Sequence, residues 1–178
     1  MEITLIKYPT YEDWMLAKRC ALVTAGKTPI TPPDRAWKED ILRARHSPIR
    51  ELKYVFLIEG IPYWVSTHLA RHHAGVQPYV KSQRNDRQNE YDRNSAPQDA
   101  PVNMILSLNA EGFITMANKR LCYKAADETR SVVKEMCRIA KRLTPEIADQ
   151  LEPMCMRNGG VCKEMKPCGK MPWCGGGV

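Results

Sequence analysis

The sequence predicts an α/β (α+β) domain. Two stretches rich in β-formers, Glu2 to Tyr8 and Leu52 to Glu59, are set among longer stretches whose apolar residues recur at helical spacing. Composition agrees: 178 residues, 43% hydrophobic and 26% charged, is an ordinary globular balance with enough chain to bury a core.

Each element has a local reason. Glu2 to Tyr8 alternates apolar residues, as a short strand does. Tyr11 to Thr24 carries a helical stripe of Trp14, Leu16, Ala17, Cys20, Ala21 and Leu22, and Gly26 with Pro29–Pro33 breaks it. Pro33-Asp34 opens a second helix to about Arg45. Leu52 to Glu59 reads as a buried strand ended by Gly60, and Pro62 suits the first turn of a helix to about His73. Residues 75–101 are polar and broken by prolines, which reads as a long loop of the kind that carries function. From Asn109 to Leu143, Phe113, Met116, Ala117, Leu121, Ala125, Val132, Met136, Ile139 and Leu143 recur at helical spacing. Pro145 to Leu151 reads as a last short helix capped by Thr144. The chain divides into a body, 1–152, and a Cys/Gly-rich C-terminal tail, 153–178.

Charge and cysteines narrow the function. The net charge of +7 points to an anionic partner without choosing among nucleic acid, nucleotide, small phosphate and membrane surface. No apolar run is long enough to span a bilayer, and Met1-Glu2-Ile3-Thr4 does not open a signal peptide. The expected location is cytoplasmic, where the seven cysteines are thiols or metal ligands. No zinc-finger spacing or RNP-type aromatic pair marks a nucleic-acid module.

Four constellations carry chemistry. His68, Arg71 and His72 are spaced to share a helix face: a metal pair, an anion site, or a solvated face. Lys81, Ser82, Gln83, Arg84, Arg87 and Arg93 form a basic loop suited to phosphate oxygens, or simply a solvated one. Arg120 stands at the edge of an apolar stripe, where it must snorkel, meet a carboxylate or meet a ligand. Cys155, Cys162, Cys168 and Cys174 supply four thiolates for zinc, or belong to a flexible reduced tail; Cys20, Cys122 and Cys137 read as core.

In order, these segments resemble the flavin-dependent thymidylate synthases. His46-Ser47-Pro48 with Val55-Phe56-Leu57-Ile58 is similar to the family's H-x-[ST]-P strand entry. His68-Leu69-Ala70-Arg71-His72-His73 followed by Ser82-Gln83-Arg84 is similar to Q-x-x-R-H-R, seven residues, then S-x-R. Arg93 to Pro97 is similar to A-R-x-x-L-P, and Asn109-Ala110 with Arg120-Leu121-Cys122 and Ala125 to N-A-R…L-R-L-C-x-x-A. The resemblance covers most of residues 46–169, and the cysteine-bearing tail is similar to one seen in some members.

The resemblance implies a small, mostly antiparallel sheet with long helices, as in thymidylate synthase-complementing proteins. It implies transfer of a one-carbon unit from methylenetetrahydrofolate to C5 of dUMP, with hydride from reduced FAD and NADPH re-reducing the flavin. No cysteine is then required as nucleophile. Arg120 would contact the uracil and stabilise its negative charge. Arg71 would touch flavin and nucleotide, and His72 and His73 would lie along the flavin. Ser82, Gln83, Arg84 and Arg93 would hold the dUMP phosphate and sugar, with His68 in place of a nucleotide-binding glutamine. Ser47 and Asn109 would contact FAD. The site would be shared between subunits of a homotetramer.

The departures fall on the flavin side. His73 replaces an arginine, Pro78-Tyr79 stands where the family has Asn-Glu, and Thr115 replaces a flavin-contacting asparagine. Glu111 replaces the arginine of N-A-R, a reversal expected to repel a flavin pyrophosphate. The connection between Arg84 and Arg93 is much shorter than the family's. Two alternatives follow: a folate-dependent pyrimidine nucleotide hydroxymethylase acting on dUMP or dCMP, and a non-catalytic nucleotide-binding protein.

Overall fold

Strands β1 (Glu2–Lys7), β2 (Lys53–Pro62), β3 (Val76–Val80) and β4 (Pro101–Asn109) form one antiparallel sheet in the order β1-β2-β4-β3. The structure, a computed structural model, describes residues 1–27, 31–84, 86–87 and 92–170. Among the described residues seven helices complete it: α1 (Tyr11–Val23), α2 (Arg35–Arg43), α3 (Tyr63–Ala70), α4 (Ala110–Arg120), α5 (Asp127–Leu143), α6 (Pro145–Ala148) and α7 (Met154–Arg157). A 3-10 turn, Ser47–Glu51, leads into β2. The α/β expectation holds, and so does the small antiparallel sheet that the resemblance implies. Among the described residues no helix is long and apolar enough to cross a membrane.

Period-two alternation makes the sheet two-faced. Tyr54, Phe56 and Ile58 of β2 and Met104, Leu106 and Leu108 of β4 are buried against Phe113 and Met116 of α4 and Val133 and Met136 of α5. Phe113 sets its ring edge-on to Tyr54 (5.3 Å between centroids) and to Phe56 (5.7 Å), locking α4 across the middle of the sheet. The other face carries Val55, Leu57, Ile105 and Tyr79, half-buried or exposed.

Helix starts follow their caps. Thr10 and Asp13 form a capping box on α1, Asp34 caps α2, and the Asn109 Oδ1 accepts from the Gly112 N–H (2.9 Å) at the start of α4. Thr144 does not cap α6. Its buried hydroxyl donates to the Ala140 carbonyl (3.1 Å) and therefore accepts from the Tyr54 hydroxyl (2.6 Å), tying α5 to β2.

Other expectations change. β2 continues past Gly60, which takes φ 65° where the register shifts between Ile58 and Ile61. The supposed loop 75–101 contains β3. Pro78 is tolerated there because β3 is an edge strand. The single helix expected over 109–143 is two: α4 stops at Arg120, and α5 begins at Asp127. Cys137 packs against the core, but Cys20 and Cys122 are only half-buried and line surface cavities. The tail is not wholly irregular: it begins with α7, and Asn118 donates to the Glu152 carbonyl (2.6 Å), holding its entry against α4.

Candidate active site

The site is built around the end of α4. Because α4 stops at Arg120, that guanidinium projects from a helix C-terminus, where the helix dipole favours a cation. Its Nε donates to His72 Nε2 (3.0 Å) and its Nη2 to the His68 carbonyl (2.7 Å). Among the described residues no carboxylate pairs with it, and Nη1 has no protein acceptor. Burial first, and the Arg71 guanidinium second, hold its pKa below the ordinary arginine value, although the group stays charged. A half-buried cation aimed by neutral acceptors, with a donor to spare, is arranged to receive negative charge from a ligand.

The histidines serve this arrangement. Burial, reinforced by Arg120, lowers the His72 pKa to about 4, so the ring is neutral at pH 7. Since Nε2 accepts from Arg120, the proton sits on Nδ1. His68 lies on α3, its Nδ1 3.1 Å from the buried Thr129 hydroxyl and its ring edge-on to Trp64 (5.3 Å). Its pKa is lowered too, by burial first and then by Arg120 and Arg71. The helix face expected to carry His68, Arg71 and His72 ends early. α3 stops at Ala70, Arg71 is its C-cap, and His72 and His73 lie beyond it. Among the described residues no three His, Cys, Asp or Glu side chains are arranged to hold a metal ion.

A second group lies at the other end of α4. Asn109 caps the helix, and the Ser47–Glu51 turn packs against its first turn through the Leu52 carbonyl, which accepts from the Ala110 N–H (2.8 Å). Arg50 pairs with Glu111. The reversed charge at Glu111 is thereby neutralised, which corrects the expectation that it repels a nearby pyrophosphate. Ser47 is exposed and lines a cavity of about 680 Å³ with Trp37, Asp40, His46 and Arg50. Asn109 and Arg120 are separated by 11 residues of helix, about 16 Å at 1.5 Å per residue.

Residues 72–75 run along α4 between these ends. His72 touches Arg120, and Gly75 presses on Asn109. A Cβ at Gly75 would stand 2.3 Å from the Asn109 Oδ1, and φ there is 70°. Gly112 leaves room for the Gly75 and Ala74 carbonyls.

The phosphate-type residues stand apart. Ser82 and Gln83 are half-buried; Ser82 Oγ accepts from the Arg84 N–H (3.2 Å). Arg84 and Arg93 are exposed between β3 and β4. Arg84 forks onto Asp86 (2.9 and 2.6 Å). Among the described residues no hydrogen bond or ion pair joins Arg84 or Arg93 to Arg120. Cys155, Cys162 and Cys168 line a separate cavity, and Cys174 lies outside the described residues.

Sequence reasoning missed Trp64, Thr129, Arg45 and Arg50. Trp64 stands one helical turn before His68, which spacing could have revealed. Thr129 meets His68 across 61 positions and left no local signal. Arg45 is the one non-glycine with positive φ among the described residues (52°), and its guanidinium donates to Thr115 (3.2 Å) and Asn118 (2.7 Å).

Comparison with known proteins bears on the fold that carries these residues. The family model described as thymidylate synthase complementing protein matches residues 85–146. Thymidylate Synthase X (ThyX) from Helicobacter pylori, solved with FAD and dUMP, superposes with a TM-score of 0.66 at 18% identity, over 85% of this chain and 98% of that one. A UMP/dUMP methylase, PolB from Streptomyces cacaoi bound with 5-Br dUMP, superposes with a TM-score of 0.67 at 14% identity, over 84% and 93%. No curated protein sequence matches the chain significantly. Over residues 85–146 the chain is similar to that family model, and it shares the fold of the flavin-dependent thymidylate synthase structures.

Proposed function

We propose that the protein is a flavin-dependent thymidylate synthase-like methyltransferase that adds a one-carbon unit from methylenetetrahydrofolate to C5 of dUMP. The observation that carries this reading is Arg120: a half-buried guanidinium fixed by two neutral acceptors, with no carboxylate partner among the described residues. As C5 of a uracil becomes nucleophilic toward an electrophilic carbon, negative charge builds on the ring and its carbonyl oxygens. A preorganised guanidinium at that oxygen lowers the barrier, and removing such a donor costs on the order of 10²–10³-fold in rate. His72, neutral and committed to Arg120 through Nε2, holds the guanidinium in place.

The residues fit an extended dinucleotide. Arg71, His72 and His73 at one end of α4 and Ser47 and Asn109 at the other are too far apart to share a compact ligand. The Arg50–Glu111 pair neutralises the carboxylate in the first turn of α4. In this reading these residues hold FAD, which in its reduced form supplies the hydride that completes the methyl group, with NADPH as reductant. Ser82, Gln83, Arg84 and Arg93 hold the phosphate and sugar, and His68 lines the nucleotide site. Arg84 exchanges Asp86 for the phosphate at little cost, since an exposed ion pair contributes about 0–1 kcal/mol.

A second copy completes the site. The open sheet face, with Val55, Leu57, Tyr79 and Ile105, offers apolar area for self-association. The separation of Arg84 and Arg93 from Arg120 is what a site assembled from two subunits of a homotetramer would show. The test is reconstitution: the protein should acquire a flavin spectrum with FAD. With dUMP, methylenetetrahydrofolate and NADPH it should yield a product with the mass of dTMP. A hydroxymethylated nucleotide formed without FAD would replace this reading with a hydroxymethylase, and nucleotide binding without any product would make it a binding protein.

A further inference from the structure

Four of the six described cysteines border one cavity, and the nucleotide chemistry uses none of them. Cys122 comes from the turn after α4, Cys155 from α7, and Cys162 and Cys168 from the tail. All four line a single cavity of about 110 Å³, room for only a few waters. We propose that these four thiols form a site for one thiophilic divalent cation of the Zn²⁺ type, which fastens the tail to the end of α4.

Charge supports this. A divalent ion bound by four thiolates carries a net charge of −2, and the same cavity is lined by Lys119, Lys124 and Lys163 against the single carboxylate of Glu164. Packing supports it too. α7 buries no residue, residues 158–170 form no helix or strand, and Val161 and Met165 are exposed, so apolar burial does not hold this segment down. Short closed segments without a core are where a structural metal supplies the folding energy. The chain is already pinned nearby: Lys124 Nζ donates to the Lys166 carbonyl (2.6 Å). Gly159 and Gly169, at φ 65° and 71° with open space at the Cβ position, give the left-handed turns that let the cysteine-bearing segment fold back.

Cys122 takes the place that sequence spacing assigns to Cys174. Local spacing cannot find it, because it lies far up the chain from Cys155. The described donors are not preset as a metal cage. Binding must therefore draw residues 162–168 inward, releasing four protons to solvent as the thiols become thiolates.

The experiment uses the full chain, purified reduced and metal-free, titrated with Co²⁺ and then Zn²⁺. The expected result is a thiolate–cobalt charge-transfer band and tetrahedral d–d bands, saturating at about one equivalent per chain and displaced by Zn²⁺. Four of the seven thiols should then be protected from a thiol reagent, with protection reversed by chelator. Cys122→Ser should abolish the tetrathiolate spectrum, and Cys174→Ser should leave it intact. Cys168→Ser, far from α4 in sequence, provides a second loss variant should Cys122→Ser fold poorly. Absence of cobalt bands in the reduced protein, a spectrum that survives Cys122→Ser but not Cys174→Ser, or a disulfide between these residues as the stable form would each overturn the proposal. None of these readouts depends on nucleotide turnover.

Discussion

Replacing Arg120 with Gln tests the site at its centre. The guanidinium makes two hydrogen bonds, at 3.0 and 2.7 Å, both to neutral acceptors. Its removal therefore orphans no carboxylate among the described residues and relieves the desolvation of a half-buried charge. Two such bonds contribute about 1.5–3 kcal/mol each before that relief, so the net loss of stability should stay under about 2 kcal/mol. The sharper consequence falls on His72. Burial is the first cause of its lowered pKa and Arg120 the second. In Arg120→Gln the His72 pKa should rise from about 4 but stop short of 6.5, because the burial remains. Histidine NMR titration of wild type and variant reads this directly, with His72→Gln to assign the resonance. Turnover should fall by about 10²–10³-fold while nucleotide binding weakens much less, because the charge on the uracil develops only during reaction. An unmoved His72 pKa, or turnover within tenfold of wild type, would refute the reasoning.

Further predictions follow from the same contacts. The unfolded chain protonates His72 near 6.5 and the folded one near 4, so between these values the unfolded state binds more protons. This contribution is fully present above about pH 6.5 and is lost as the pH falls toward 4. After discounting for solvent screening of a half-buried ring, it is about 1 kcal/mol between pH 7 and 5. Urea unfolding at the two pH values should show a loss larger by about that amount in wild type than in His72→Gln, where His68 keeps its own lowered pKa; equal pH dependence would contradict it. Gly75→Ala puts a Cβ 2.3 Å from the Asn109 Oδ1 at φ 70°, so it should cost more than about 2 kcal/mol from backbone strain and a displaced cap. Thermal unfolding checks it, and an unchanged Tm would count against the packing described here. Arg50→Ala leaves Glu111 unpaired at the far end of α4 and should weaken FAD binding several-fold in a fluorescence titration. Stronger binding would contradict the neutralising role. Tyr54→Phe removes the donor to the buried Thr144 hydroxyl and should cost about 1 kcal/mol by chemical denaturation.

The legibility of the sequence varied with how local each signal was. β1, α1, α2 and the start of β2 were readable because their caps and alternation lie within a few residues. β3 was hidden by Pro78, which argues against a strand unless the strand is known to be at an edge, and edge position is a tertiary fact. The break at 121–126 was hidden because Leu121 and Ala125 continue the helical spacing with no Gly or Pro between them. That break decides the site, since it makes Arg120 a helix terminus. Arg120 itself was legible as a cation on an apolar stripe. Its partners were not, because His72, the His68 carbonyl and Thr129 come from other segments. Glu111 misled for the same reason: its partner Arg50 lies 61 positions away.

The central claim is that Arg120 activates C5 of a uracil nucleotide for one-carbon transfer. Release of tritium from [5-³H]dUMP, in the presence of FAD, NADPH and methylenetetrahydrofolate, tests it most directly, because the C5 hydrogen leaves only if C5 has formed a new bond. The account predicts tritium release that requires all three additions and drops by about 10²–10³-fold in Arg120→Gln. Release that persists undiminished in that variant, or no release from a protein shown to bind both dUMP and FAD, would contradict it.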